Sequence, residues 1–335
     1  MKRLNLRRKK AEMTEEYSDG EVIELRNTIR KIEQRIGRKV IGSEPIVRFL
    51  FISLISRNHM LLEGVPGLAK TMLASEFSRN LNMDFKRIQF TPDMLPSDIT
   101  GSIVFNLEQR KLEFRKGPIF ANVLLADEIN RTPAKVQSAL LEGMEEMKVS
   151  VGGEDYPLPE PFLVIATQNP IEQEGTFPLA EALMDRFLFR YILTYPSREQ
   201  EMGILRSISV DQEDDEFLID SNKIIALRKE ARQVYASEEI ITYIVDIIRQ
   251  TRTNDLVLVG ASPRTSAKYL MAAKVNALLN ARDYVIPEDI RFLSQALLNH
   301  RLILRPEALL ESGGDGYSTS NRIIERIVNS VVSPR

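Results

Sequence analysis

His59-Met60-Leu61-Leu62-Glu63-Gly64-Val65-Pro66-Gly67-Leu68-Ala69-Lys70-Thr71 runs from an apolar stretch into a glycine- and proline-bearing turn that closes on Lys-Thr. That order brings the backbone N–H groups of a turn, an ammonium and a hydroxyl to one point, a combination suited to a polyphosphate. Further along, Val123-Leu124-Leu125-Ala126-Asp127-Glu128 is an apolar strand that ends in two carboxylates. One carboxylate suits Mg2+ and the next suits the polarisation of a hydrolytic water. Phosphoryl transfer needs this division of labour because the protein supplies chiefly position and charge. Taken alone, the first stretch also fits an ordinary strand-turn-helix connection; the acidic strand end favours the nucleotide reading.

The loop departs from the strict G-x-x-x-x-G-K-[ST] pattern, because Ala69 stands where the last glycine is expected. Alanine costs little there if the backbone keeps a negative φ, and Gly67 still supplies a position without a Cβ where the chain must pass close to phosphate. Gly64, Val65, Pro66, Gly67, Leu68, Ala69, Lys70, Thr71 and Met72 therefore form the candidate nucleotide-binding segment.

Composition bounds the alternatives. At 335 residues, 43% of them hydrophobic, the chain is long enough for about two domains on a prior of about 150 residues each. The apolar run Phe49–Ile55 stops at Ser56-Arg57, too short to span a bilayer, and the basic start lacks the apolar stretch of a secretory signal, so a cytoplasmic address is expected. The absence of cysteine excludes disulfides, thiolate catalysis and Cys-ligated zinc. The two histidines, His59 and His300, sit among apolar neighbours and read as packed or capping residues, which leaves Mg2+ arriving with the nucleotide as the expected metal. With 45 basic against 47 acidic residues no global field draws the chain to nucleic acid, and Lys2–Lys10 and Asp211–Glu216 read as solvated charge runs.

Periodicity divides the chain. Up to about Tyr195, the apolar strands Met60–Leu62, Phe85–Phe90, Val123–Ala126, Phe162–Thr167 and Phe189–Leu193 alternate with helical stretches. This predicts a parallel sheet with helices on both faces and ligands at the carboxyl ends of the strands. After Pro196-Ser197 the spacing of Ile240, Ile244 and Ile248 predicts a small all-helical domain. The expected organisation is a charged tail over 1–20, an α/β core over 21–196 and a helical domain over 197–335. Within the core, residues 101–117 alternate on either side of a polar turn and predict a hairpin, either inserted in the core or added at the sheet edge.

Two further segments bear on the site. Leu163–Thr167 runs into Gln168-Asn169-Pro170; beside the Asp127 strand, Asn169 would offer a hydrolytic water a second hydrogen-bond partner, although a strand-to-turn Asn-Pro is common. Arg186 ends a helical turn before the next strand, where it is a surface residue, a partner of Asp185, or a group facing another subunit's nucleotide.

The ordered series GVPGLAKT (64–71), FTPDMLPSDITG (90–101), GPIFANVLLADEINR (117–131), ATQNPIEQEGTFPLAEALMDRF (166–187) and GASPRT (260–265) resembles the MoxR-type AAA+ ATPases over roughly Glu21–Ser333. The resemblance implies a P-loop α/β core with a hairpin insert and a helical lid. It also implies that alanine is common at the Ala69 position. By resemblance, Lys70 binds the β- and γ-phosphates of ATP, Thr71 and Asp127 hold Mg2+, Glu128 orients water, Asn169 is a first sensor, and Val40, Ile41 and Gly42 line the adenine. Arg186 matches an arginine finger acting on the neighbouring subunit's γ-phosphate, a contribution of about 10³ to 10⁵ in rate. Arg264 matches a second sensor; Ser262-Pro263 before it reads as an N-cap and first helical position, and whether it serves its own or the adjacent protomer stays open. The family implies a homo-oligomeric ring, usually hexameric, in which the lid rotates against the core and moves the hairpin. It further implies chaperone-like maturation of client complexes, often with a von Willebrand factor A domain partner. A chelatase-type motor subunit and a nucleic-acid-stimulated motor are the alternatives; no nucleic acid or membrane insertion is expected.

Overall fold

Met60, Leu61 and Leu62 are consecutive and apolar, so a strand containing them must be covered on both faces. The structure, a computed structural model, describes residues 19–170, 175–207, 218–310 and 315–334. The basic run Lys2–Lys10 and the acidic run Asp211–Glu216 lie outside the described residues. In chain order the first part comprises α1 (Asp19–Lys39), α2 (Glu44–Ile55), β1 (His59–Glu63), α3 (Lys70–Asn80), β2 (Phe85–Gln89) and α4 (Pro96–Thr100). A hairpin of β3 (Gly101–Asn106) and β4 (Lys111–Lys116) follows, then β5 (Val123–Asp127), α5 (Ala134–Glu146) and a second hairpin of β6 (Lys148–Val151) and β7 (Glu154–Pro157). The part closes with β8 (Leu163–Gln168), α6 (Glu181–Met184) and β9 (Phe187–Ile192).

Strands β2, β5, β8, β1 and β9 form one five-stranded sheet in that spatial order, and every pairing is parallel. Period-two alternation sorts the strand residues between two cores. Met60, Leu62, Leu125 and Ile165 pack with α1, α2 and α3 on one face, whereas Leu61, Leu124, Ala126 and Val164 pack with α5 on the other. Edge strand β2 buries only Ile88 and leaves Lys86, Arg87 and Gln89 exposed, the charged rim that keeps an edge from pairing with another chain.

The 101–117 hairpin forms as expected, with Gly101 opposite Lys116 and Asn106 opposite Lys111. A Cβ on Gly101 would lie 2.2 Å from the Arg115 carbonyl oxygen, so the base of the hairpin closes only around glycine. The second hairpin was not anticipated, although Gly152-Gly153 between alternating residues is its signal; both glycines have positive φ, +63° and +86°. The hairpins touch through Phe114 and Tyr156, whose ring centroids are 4.1 Å apart.

The chain continues with α7 (Arg198–Ser207), α8 (Ser221–Gln233), α9 (Glu238–Thr253), β10 (Val257–Val259), α10 (Pro263–Leu279) and α11 (Pro287–Leu298). It ends with β11 (Ile303–Leu304), α12 (Pro306–Leu310) and α13 (Gly316–Ser330). Side-chain caps start three of these helices: Asp220 for α8, Ser237 for α9 and Asp315 for α13. The expectation of an all-helical second part needs one correction: β10 and β11 pair antiparallel, Val257 with Leu304, in strands too short to carry a periodic signal.

These helices share a buried core with the first part. Tyr243, Tyr269, Leu293 and Ile324 belong to the same buried cluster as Phe49, Leu62 and Ile165. Polar bonds cross the same seam. Arg48 on α2, held at 3.1 Å by Glu33 on α1, donates to Asn276 on α10 (3.3 Å), and Arg228 on α8 donates to the Leu54 carbonyl (3.0 Å).

Both histidines are packed into the structure. His59 Nδ1 accepts from the Val164 N–H at 3.0 Å, which leaves Nε2 to donate to the Met144 carbonyl. Burial pulls the His59 imidazole down to about 4, opposed by that carbonyl and aided by Lys268 and Arg186. The unfolded chain therefore takes up a proton below pH 6.5 that the folded chain refuses. The associated stability is intact above 6.5 and is lost as pH falls toward 4, by about 3 kcal/mol in all. His59→Asn is expected to fold with a shallower pH dependence; urea midpoints at pH 7 and pH 4.5 check it, and equal slopes for both proteins would refute it.

Candidate active site

Loops at the carboxyl end of the sheet gather one group of expected residues. Glu63 ends β1, and Gly64 to Ala69 lead directly into α3, which begins at Lys70. The first amides of a helix have no intrahelical acceptor, so this start presents N–H groups outward to an anion. Gly64 is tight, since a Cβ would lie 3.0 Å from Leu193 Cβ. Gly67 has φ +89° with nothing crowding a Cβ, so glycine supplies conformation there and not room.

Ala69 departs from the expectation of a negative φ. It adopts φ +52° and ψ +24°, left-handed geometry that costs a non-glycine residue about 1–2 kcal/mol. The strain sits immediately before Lys70, where the chain turns into the helix. Lys70 Nζ donates to the Gly64 carbonyl at 2.6 Å and so spans the loop. Burial lowers the Lys70 ammonium below the usual lysine range, while Asp127, Glu128 and Glu63 push it back up. Thr71 and the exposed Met72 follow in the first turn of α3.

Asp127 ends β5 and Glu128 follows it in left-handed geometry, φ +57° and ψ +48°. Strand β8 lies beside β5, and Thr167 on it ties the two acids together: its hydroxyl accepts from the Glu128 N–H at 2.9 Å and donates to Asp127 Oδ1. Glu128 Oε2 receives Gln89 Nε2 at 2.6 Å and pairs with Arg131 at 3.0 Å. Asp127 Oδ2 receives Arg87 through Nε at 3.0 Å and through a terminal nitrogen at 2.6 Å. Asn169, buried, follows the end of β8, the strand next to β5.

Glu63, only 4% exposed, is held by a bidentate bond from Arg190 on β9, both contacts at 2.7 Å. Ile41 and Gly42 pack under α7, with the buried Val40 just before them: a Cβ on Gly42 would meet Gln200, and one on Gly203 would meet Ile41.

Arg186 and Arg264 are not brought to this cluster. In the register of β1 against β9, His59 faces Phe187 and Glu63 faces Ile192, so Arg186 precedes the amino end of the strand that the loop follows at the carboxyl end. The strand between them is about 17 Å long at about 3.3 Å per residue. Arg186 pairs with Glu145. Arg264, exposed at the start of α10, lies 3.7 Å from Asp185, the residue beside Arg186. Ser262 takes the N-cap position with Pro263 after it, as expected, but its hydroxyl meets the Thr265 hydroxyl at 3.2 Å instead of a backbone amide. Lys268 and Arg301 also approach Asp185, beside a cavity of about 530 Å3 lined by Asp185, Arg264, His300 and Arg301. Burial, reinforced by Arg301, pulls Lys268 down to about 8 against the attraction of Asp185.

Sequence reasoning missed Thr167, Arg87, Gln89 and the Glu63–Arg190 pair. Arg87 and Gln89 carried a usable signal, since they alternate along a predicted strand. The topology that sets β2 beside the Asp127 strand was the missing piece.

Known proteins share this architecture. Residues 59–189 match the model of the ATPase family associated with various cellular activities (AAA), and residues 249–327 match an AAA lid domain. The chain is 44% identical to the uncharacterized protein YeaC of Bacillus subtilis, over 93% of this chain and 96% of that one. It is 40% identical to the chaperone MoxR1 of Mycobacterium tuberculosis, over 92% of this chain and 83% of the relative. A Cytophaga hutchinsonii protein solved by crystallography as a candidate ATPase superposes with a TM-score of 0.86 at 41% identity, covering 95% of this chain and 98% of its own.

Thr167 is fully buried and serves both acids, so Thr167→Val strands the Glu128 amide without its acceptor. A loss of about 1–3 kcal/mol in chemical denaturation is expected, with Thr167→Ser close to wild type. Equal stability of the Val and wild-type proteins would remove this role from Thr167.

Proposed function

Because the chain belongs to the MoxR-type AAA+ ATPases, we propose that it hydrolyses ATP at sites shared between subunits of a homo-oligomeric ring and spends the cycle on remodelling client protein complexes, as a chaperone. The observation that carries this reading is the separation of the loop and acids from the two arginines by the length of the sheet. A second copy whose amino-end face meets the carboxyl-end face of the first would complete each site.

Asp127 and Thr71 offer the hard oxygen donors that Mg2+ selects, and Lys70 stands within electrostatic reach of both acids, so these residues fit the metal. Bound with the nucleotide, the ion would neutralise phosphate charge. Lys70 would exchange the Gly64 carbonyl for the β- and γ-phosphate oxygens, and the outward amides of Gly67 to Thr71 would wrap the same group. Val40 to Gly42, beneath α7, would hold the adenine. Glu128 would orient the attacking water and take up its proton, with Asn169 as the second partner of that water. Its left-handed backbone, tied to Thr167, fixes where the carboxylate stands, the type of strain that functional positions store.

Arg186 would act on the γ-phosphate bound to the neighbouring subunit. Arg264 shares Asp185's surroundings with it, which favours service to the adjacent protomer over its own. The client, the ring size and any von Willebrand factor A domain partner belong to this proposal as family expectations. Among the described residues no helix is long and apolar enough to cross a membrane.

Glu128→Gln is expected to keep Mg-dependent ATP binding while turnover falls about 10²- to 10⁴-fold. Phosphate-release assays beside nucleotide titrations check this; wild-type turnover would remove Glu128 from its role. Arg186→Ala is expected to bind nucleotide normally but to be inactive alone. When it is mixed with Glu128→Gln, part of the activity should return, because each intact loop can then face an intact arginine. Absence of recovery at every mixing ratio would sink the shared site.

A further inference from the structure

Both oxygens of Asp127 already accept hydrogen bonds. Oδ1 is taken by the Thr167 hydroxyl, and Oδ2 accepts two N–H groups from Arg87, at 3.0 and 2.6 Å. The arrangement follows from the sheet. Gln89 lies directly opposite Asp127 in the parallel register of β2 and β5, and Arg87, two residues earlier, projects from the same face of the edge strand. A third bond from Arg87, to Gln89 Oε1 at 3.0 Å, fixes the Gln89 amide so that its nitrogen points to Glu128. One guanidinium therefore neutralises the carboxylate expected to hold a metal and sets the neighbour of the carboxylate expected to orient water.

We propose that Arg87 is a resident counter-cation of Asp127, with which a divalent metal competes for the carboxylate, so that it sets how strongly magnesium strengthens nucleotide binding. The proposal rests on the reading that Asp127 is a metal ligand. Two features make displacement feasible. The Arg87 side chain is 48% exposed while Asp127 is 13% exposed, so the guanidinium can swing into water and recover its hydration there. The contact is also a partly exposed ion pair, strong enough to hold the carboxylate before a metal arrives and weak enough to yield to a doubly charged ion. Without a metal, Arg87 prevents Asp127 from repelling incoming phosphates. With one, the displaced charge remains on the same strand and opposes the ion. Both effects reduce the difference between metal-free and metal-bound nucleotide affinity.

The test is the ratio of the Kd of a fluorescent, non-hydrolysable ATP analogue in EDTA to its Kd in saturating magnesium chloride, measured on the full chain. Arg87→Met should raise that ratio about two- to fivefold, the range an exposed ion pair carries. Arg87→Gln, which also loses the charge but keeps a polar reach to Gln89, should raise it too, whereas Arg87→Lys should stay near wild type. An unchanged or lower ratio in both uncharged variants, with the wild-type ratio well above one, overturns the proposal and leaves the Asp127 reading intact. A wild-type ratio of one overturns the Asp127 reading itself, and the proposal with it.

Discussion

The polarity of a parallel sheet constrains everything else in this molecule. When five strands point the same way, every loop that follows a strand lies at one end and every loop that precedes one lies at the other. Lys70, Asp127, Glu128 and Asn169 follow strands, so they converge without any long-range design beyond the register. Arg186 precedes β9 and is denied that company by the same geometry. The tie between Thr167 and the two acids depends on this order, because β8 lies directly beside β5 and sets the Thr167 hydroxyl between Asp127 and Glu128.

Much of this was legible in the chain. The alternation of short apolar strands with helical stretches pointed to the parallel sheet, and the two acids closing Val123–Ala126 marked the carboxyl end. The hairpin at 101–117 showed through its alternation. What stayed hidden was what only pairing creates. Arg87 and Gln89 look like ordinary edge residues until β2 is known to flank β5, and Thr167 looks like one more strand position until its hydroxyl is seen between two carboxylates. The left-handed backbone of Ala69 was hidden for a different reason: a side chain that tolerates a strained conformation leaves no mark distinguishing it from one at ease.

The helical second part presents a different physical picture from the one its composition suggested. A small domain joined to a larger one is expected to move against it unless the interface is large and apolar. Here the buried cluster runs from the sheet face through α2 into α9, α10, α11 and α13 without a break, and Arg48 and Arg228 bond across the seam. The contacts made by Lys268, His300 and Arg301 reach the carbonyls of Asp185, Phe187 and Leu188, so the segment bearing Arg186 is fastened to these helices as well as to the sheet.

Helix α5 begins shortly after Glu128 and the short 3-10 turn Ile129–Arg131, and it passes through Met147 straight into β6. Its 13 residues make a rod about 20 Å long. A rod of that length, tilted about ten degrees at its root, carries its tip roughly 3 Å sideways. Because Phe114 packs against Tyr156, the β3–β4 hairpin would be carried along with the β6–β7 hairpin. Glu128 and the β6–β7 hairpin would then be the two ends of one lever, cut from an uninterrupted length of chain.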